Sequence, residues 1–201
     1  MNRPSDPEPS ARDDAGEALS LALRQGADVL DAWYRAVWPQ VHRLCSGLLA
    51  SSAEADDVAQ DAMLHLVDRL DRWNPERPFG AWRQRVVVNL CRDHLRSAKR
   101  RQVHEEEAGL GWHEAQLPEP SAAAESAEVS QLVDRCLGLL PPREREVFVL
   151  VDLEGQAPAD AAELLGIAAS TVRAALTLAR RRMREALAPH LPDAQLEGGP
   201  A

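Results

Sequence analysis

The chain has 201 residues, 45% of them hydrophobic and 27% charged, with a net charge of -9 at neutral pH. That is enough for one large or two small globular domains, and too apolar for a chain disordered throughout. No apolar run approaches the ~18 residues of a membrane span, and the polar, proline-bearing N-terminus is unlike a signal peptide, so a cytoplasmic protein is expected.

Residues 1–16, with Pro4, Pro7, Pro9 and many charges, read as a flexible arm. From Ala18 to Ala50, Leu21, Leu23, Val29, Leu30, Trp33, Tyr34, Val37, Val41, Leu44, Leu48 and Leu49 give enough helical spacing for two helices, broken near Gly26 or Pro39. Ser51 or Ser52 is placed to cap the next helix, 53–70, with Glu54, Asp56 and Asp57 in its first turn, where the helix dipole favours acids. Its expected core stripe is Ala55, Ala59, Ala62, Met63, Leu66 and Leu70. Opposite lie Asp57, Asp61, Leu64 and Asp68, with Gln60 alongside: an acidic face around one leucine, which reads as solvated surface or as a docking patch. The helix is predicted to end around Trp73, because Asn74-Pro75 and Arg77-Pro78 are turn signals.

The stretch 79–101 is predicted to be a two-faced helix. Trp82, Val86, Val87, Leu90, Cys91, His94 and Ala98 form its apolar side, and Arg85, Asn89, Arg92, Arg96 and Lys99 recur at i, i+4, i+7, i+11 and i+14 on the other. Residues 102–128 lack sustained periodicity and carry Pro118 and Pro120. From Glu105 to Glu128 they hold seven glutamates and no Lys or Arg, and so read as a flexible acidic linker. Helical patterning resumes at Val129, stops at Pro141 and restarts with Pro142 in a first turn. Two helices follow, 158–165 and 170–187, hinged at Gly166-Ile167: the helix-turn-helix pattern. The second has the apolar stripe Val172, Leu176, Ala179, Met183 and Leu187 beside Arg173, Thr177, Arg180 and Arg184. After Pro189 the polar, glycine-bearing tail reads as frayed, and the stretch after Leu187 is too short for a further folded domain. No strand pattern occurs. The expected architecture is all-α: two small helical domains, 17–101 and 129–188, joined by a flexible acidic linker, with arms at 1–16 and 189–201 and a helix-turn-helix in the second domain.

Two basic helix faces in an acidic chain point to nucleic acid held at two places. No P-loop, paired catalytic carboxylates or activated nucleophile occurs, so the protein is not expected to be an enzyme; His42, Asp56 and Asp57 support an enzyme only by their presence. Cys45, Cys91 and Cys136 are odd in number, widely spaced and set in apolar helical patterns, and read as buried reduced thiols. His42 and Cys45 share a helix face, but two residues make a poor metal site, and neither metal nor cofactor is expected.

The runs Ala55-Asp56-Asp57-Val58-Ala59-Gln60-Asp61, Phe79-Gly80-Ala81-Trp82 and Asn89-Leu90-Cys91-Arg92-Asp93-His94-Leu95-Arg96 resemble the first domain of bacterial sigma factors of the extracytoplasmic-function type. Leu139-Leu140-Pro141-Pro142-Arg143-Glu144-Arg145-Glu146-Val147-Phe148, with Glu163-Leu164-Leu165-Gly166-Ile167 and Thr171-Val172-Arg173, resembles the second. The resemblance covers roughly residues 18–101 and 129–187, in the family's order. It implies that Asp57, Gln60, Asp61 and Leu64 face core RNA polymerase. It implies that Arg85, Asn89, Arg92, Arg96, Lys99 and Arg100 follow the promoter −10 region as its strands separate, with Trp73, in the loop 72–78, the ring nearest to hand for a flipped base; a place in the core stays equally open for Trp73. Asp93, among arginines, is expected to orient Arg96 or Arg92.

In the second domain it implies that the last helix enters the −35 major groove. Ser170, Thr171, Arg173 and Thr177 are its plausible readers and positioners, and Arg180, Arg181 and Arg184 hold phosphates. Here the chain departs from the family: Ala174 and Ala175 stand where a Ser-Arg pair is common, and Ala157-Pro158-Ala159 replaces a Ser-aromatic-acid helix start. The missing arginine is expected to remove a groove contact. The implied partners are core RNA polymerase and promoter DNA, with an anti-sigma factor as a further candidate and neither a small-molecule substrate nor membrane insertion. The linker reads as a solvated tether or as a polyanion occupying a nucleic-acid path in polymerase. Two other functions stay open: a sigma-like decoy that sequesters an anti-sigma factor, and a stand-alone helix-turn-helix regulator.

Overall fold

The computed structural model describes residues 14–49, 51–107 and 125–190; most of the predicted N-terminal arm, the middle of the linker and the tail from residue 191 lie outside them. Every regular element among these residues is helical: α1 (Asp14–Gln25), α2 (Ala27–Leu49), α3 (Ser52–Asp68), α4 (Phe79–Glu107), α5 (Glu125–Gly138), α6 (Pro142–Phe148), α7 (Pro158–Leu165) and α8 (Ala169–Leu187). The chain divides into two compact units, residues 1–45 with 55–96 and residues 46–54 with 97–201.

In the first unit the break between α1 and α2 falls at Gly26, whose φ of 109° is open to glycine at little cost. Pro39 lies inside α2, on its exposed side, where it forgoes one helical hydrogen bond without breaking the helix. The core is organised around the fully buried Phe79. Its ring meets Trp33 edge-on at 6.5 Å, Trp73 edge-on at 5.6 Å and Trp82 at 5.4 Å, arrangements that suit the quadrupoles of aromatic rings. The indole N–H of Trp33 donates to the Ala15 carbonyl at 2.8 Å and that of Trp73 to the Arg77 carbonyl at 3.0 Å. Helix α1 thus starts earlier than the sequence suggests, and Gly16, expected in the arm, is buried.

The buried line of α3 is Ala55, Val58, Ala59, Ala62, Met63 and Leu66, so Val58 joins the expected stripe and Leu70, beyond the helix, is half-buried. Helix α3 ends at Asp68, and a 3-10 turn over Leu70–Arg72 carries the chain to Trp73. The buried line of α4 is Phe79, Arg83, Val87, Val88 and Cys91. It is rotated from the expected stripe, which leaves Trp82, Val86, Leu90, His94 and Ala98 at its margins. Arg83, only 9% exposed, reaches α2 and donates to Gln40 Oε1 at 2.6 Å, which satisfies a charged group that burial would otherwise destabilise.

In the second unit Arg145 of α6 ties off the end of α5: its guanidinium donates to the carbonyls of Leu137 at 2.8 Å, Gly138 at 2.9 Å and Leu140 at 3.1 Å. Leu137 and Gly138 are the last residues of α5, whose C-terminal carbonyls lack donors within the helix, and a cation there also complements the helix dipole. Helix α6 passes into a π-helical turn, Val149–Leu153, and α6, α7 and α8 enclose Val147, Leu150, Ala161, Leu165, Val172, Leu176, Ala179 and Met183. Gly166 ends α7 with φ 65° and ψ 38°, with Gly166 N–H donating to Glu163 O and Ile167 N–H to Ala162 O, the paired bonds of a left-handed helix stop. The chain then turns by 108° into the segment that begins with α8, within the range of helix-turn-helix units. The linker is shorter than its sequence suggests, since α4 runs to Glu107 and α5 starts at Glu125.

Candidate nucleic-acid interface

On α4, Arg85, Asn89, Arg96, Lys99 and Arg100 are exposed and Arg92 is half-exposed, all on the side away from Phe79, Val87 and Cys91. At 100° per residue Arg85, Asn89, Arg92, Arg96 and Lys99 fall within about a quarter of the helix circumference. Asp93 pairs with Arg96 at 2.8 Å, so the one acid near this stripe fixes the direction of one of its cations. Both groups are more than two-thirds exposed, and such a pair orients side chains more than it stabilises the fold.

Trp73, which the sequence leaves open between the core and base capture, is buried. It is 8% exposed, its ring lies edge-on to Phe79 and its N–H is engaged by the Arg77 carbonyl, so it shapes the loop from within and offers no free face to a flipped base. The exposed polar members of the loop are Arg72, Asn74, Glu76 and Arg77, and Asn74 Oδ1 accepts the Glu76 N–H at 3.0 Å in a local turn. Trp82, expected in the core, is only half-buried. Three residues before Arg85 and seven before Asn89, it stands on the edge of the arginine stripe.

On α3, Asp57, Gln60, Asp61 and Asp68 are exposed around Leu64, which is 63% exposed and so presents an apolar knob in an acidic field. His42 Nε2 lies 2.8 Å from Asp56 Oδ1, and no group of metal-ligating side chains occurs among the described residues.

On α8, Val172, Ala175, Leu176, Ala179 and Met183 face the core, and Ser170, Thr171, Arg173, Ala174, Thr177, Leu178, Arg181 and Arg184 are exposed. Ala175 is buried, so an arginine missing at this position does not leave a gap on the outward face; Ala174 does lie there. Arg180, expected to hold a phosphate, is exposed but paired within the fold. Its Nε and Nη2 donate to Asp152 at 2.9 and 2.6 Å, which raises its pKa and commits two of its donors to the π-helical turn. Arg182 reaches the buried Glu144 at 3.3 Å, and Arg181 lies 3.8 Å from Glu185. Neither Asp152 nor Glu144 stands out in the sequence, because each meets its arginine across a long stretch of chain.

Residues 33–101 match the family model Sigma-70 region 2, and residues 130–183 match Sigma-70, region 4. The chain is 33% identical over 178 residues to the ECF RNA polymerase sigma factor SigM of Mycobacterium tuberculosis, covering 88% of this chain and 87% of that protein. The chain belongs to the extracytoplasmic-function sigma factors. As a sigma factor it binds core RNA polymerase and directs transcription initiation from promoter DNA. It is also similar to SigW of Bacillus subtilis, 28% identical, over 83% of this chain and 89% of that protein. Its fold is similar to that of the sigma factor RpoE from Bartonella quintana, with a TM-score of 0.64 and 20% identity, over 81% of this chain and 98% of that one. No single helix among the described residues of this sigma factor is long and apolar enough to cross a membrane.

Proposed function

We propose that the sigma factor divides its work among three surfaces. Residues 17–101 form the unit that docks on polymerase through Asp57, Gln60, Asp61 and Leu64 of α3 and follows the −10 strand through Arg85, Asn89, Arg92, Arg96, Lys99 and Arg100 of α4. Residues 129–188 form the unit that places α8 in the −35 major groove, with Ser170, Thr171, Arg173 and Thr177 toward the bases and Arg181 and Arg184 toward phosphates. The protein acts in the cytoplasm, by binding rather than by catalysis. A candidate regulator is an anti-sigma protein, since the similar Bartonella quintana chain was solved in complex with the anti-sigma factor NepR.

The observation that carries this reading is the exposed arginine stripe of α4, opposite a packed face. Such a stripe neutralises successive phosphates, with an affinity that falls with salt by a slope of about 0.7 per phosphate on single strands. The test is transcription by core polymerase supplemented with this protein, on duplex and fork-junction promoters. Arg92→Ala/Arg96→Ala is expected to weaken strand opening and lower the salt slope, and Asp61→Ala to weaken core binding. Core binding without initiation on any promoter would favour the decoy, and no core binding would leave a stand-alone DNA binder.

A further inference from the structure

The outward face of α8 is unusual in what it offers a base. Ser170, Ala174, Thr177, Leu178 and Arg181 are exposed at i, i+4, i+7, i+8 and i+11, opposite the buried Val172, Leu176, Ala179 and Met183. Leu178 is 39% exposed. The Thr177 hydroxyl donates to the Arg173 carbonyl at 3.0 Å, so its proton is used within the helix and the side chain offers the groove a methyl group and an acceptor oxygen. No acid lies in the first turn of α8, and Arg173, Arg181 and Arg184 flank the apolar group with positive charge. Ala174, Thr177 and Leu178 therefore make the middle of this face rich in methyl groups, between Ser170 one turn before and Arg181 one turn after.

In the major groove only thymine presents a methyl group, and apolar side chains recognise it by contact. We propose that Ala174, Thr177 and Leu178 read thymine methyl groups in the −35 element, so that this sigma factor selects thymine by apolar contact. Ala174 and Leu178 are one turn apart, about 6 Å along the helix, which spans roughly two base steps. The arginines at the margins hold the phosphates on either side and set the depth of the helix in the groove. This inference rests on the placement of α8 proposed above.

The test begins with holoenzyme, reconstituted from core polymerase and this protein, selecting from a duplex promoter library randomised in the upstream element. Each selected thymine is then replaced by deoxyuridine, which removes only the methyl group, and binding is measured again. The expected result is a loss of about fourfold at one or two thymines, the worth of burying one methyl group. Leu178→Ala, at an exposed position, is expected to erase the deoxyuridine penalty at one of them and leave the other. Sequence-specific binding indifferent to deoxyuridine, or a selected element without thymine, overturns the methyl reading and leaves α8 in the groove. Absence of any upstream selection, with Arg173→Ala also without effect, overturns the placement itself.

Discussion

Gly16 sits where no side chain fits. A Cβ at this position would stand 2.5 and 2.7 Å from ring carbons of Trp73 and 2.8 Å from Phe79, and Trp73 is held by its bond to the Arg77 carbonyl. Gly16→Ala is expected to destabilise the protein by about 1–3 kcal/mol through overpacking, read as a lower urea midpoint; an unchanged midpoint would show that the rings yield freely. At this scale the sequence is legible where side chains repeat on one face, as with Arg85, Asn89 and Arg96. It is not legible where a charge finds a distant partner: Arg83 meets Gln40 43 residues away and Arg180 meets Asp152 28 residues away. A cation's type says nothing about whether the fold or a ligand holds it.

Helix α8 shows the same competition as a property of an element. Asp152 holds Arg180 against the π-helical turn, an exposed pair worth at most ~1 kcal/mol to the fold. Asp152→Asn is expected to leave stability nearly unchanged while freeing Arg180 for a phosphate, steepening the salt dependence of upstream-element binding by about 0.9; an unchanged slope would place Arg180 outside the DNA path. Within α5, burial pushes the Cys136 thiol above its ordinary value, against a smaller opposing effect of Arg135. A group raised on folding contributes stability that is full below its unfolded pKa and is lost as pH rises through the folded one. Unfolding titrations above about pH 9 are expected to show this loss, and Cys136→Ala to flatten it. Element boundaries follow the punctuation of the sequence at Gly26, Pro142 and Gly166. The end of α4 and the start of α5 fall inside the stretch whose missing apolar periodicity reads as linker, because charged, apolar-poor turns such as residues 105–107 give no stripe to count.

Across the whole molecule a net charge of -9 coexists with two cationic helix faces. The bulk charge repels DNA while the faces attract it, so the free sigma factor is expected to bind promoter duplex weakly and with steep salt dependence, and the holoenzyme far more tightly. Titrations of free protein and holoenzyme between about 50 and 200 mM salt check this; tight, salt-indifferent binding by the free protein would refute it. The family architecture is legible at this scale because its motifs occur in order along the chain. The cluster around Phe79 has a kinetic consequence as well. It joins the first turn of α1 to the first turn of α4, contacts distant in sequence whose loop-closure entropy delays them in folding. On the ribosome the first unit cannot close its core until Phe79 has emerged, so a nascent chain lacks the finished surface that grips a promoter.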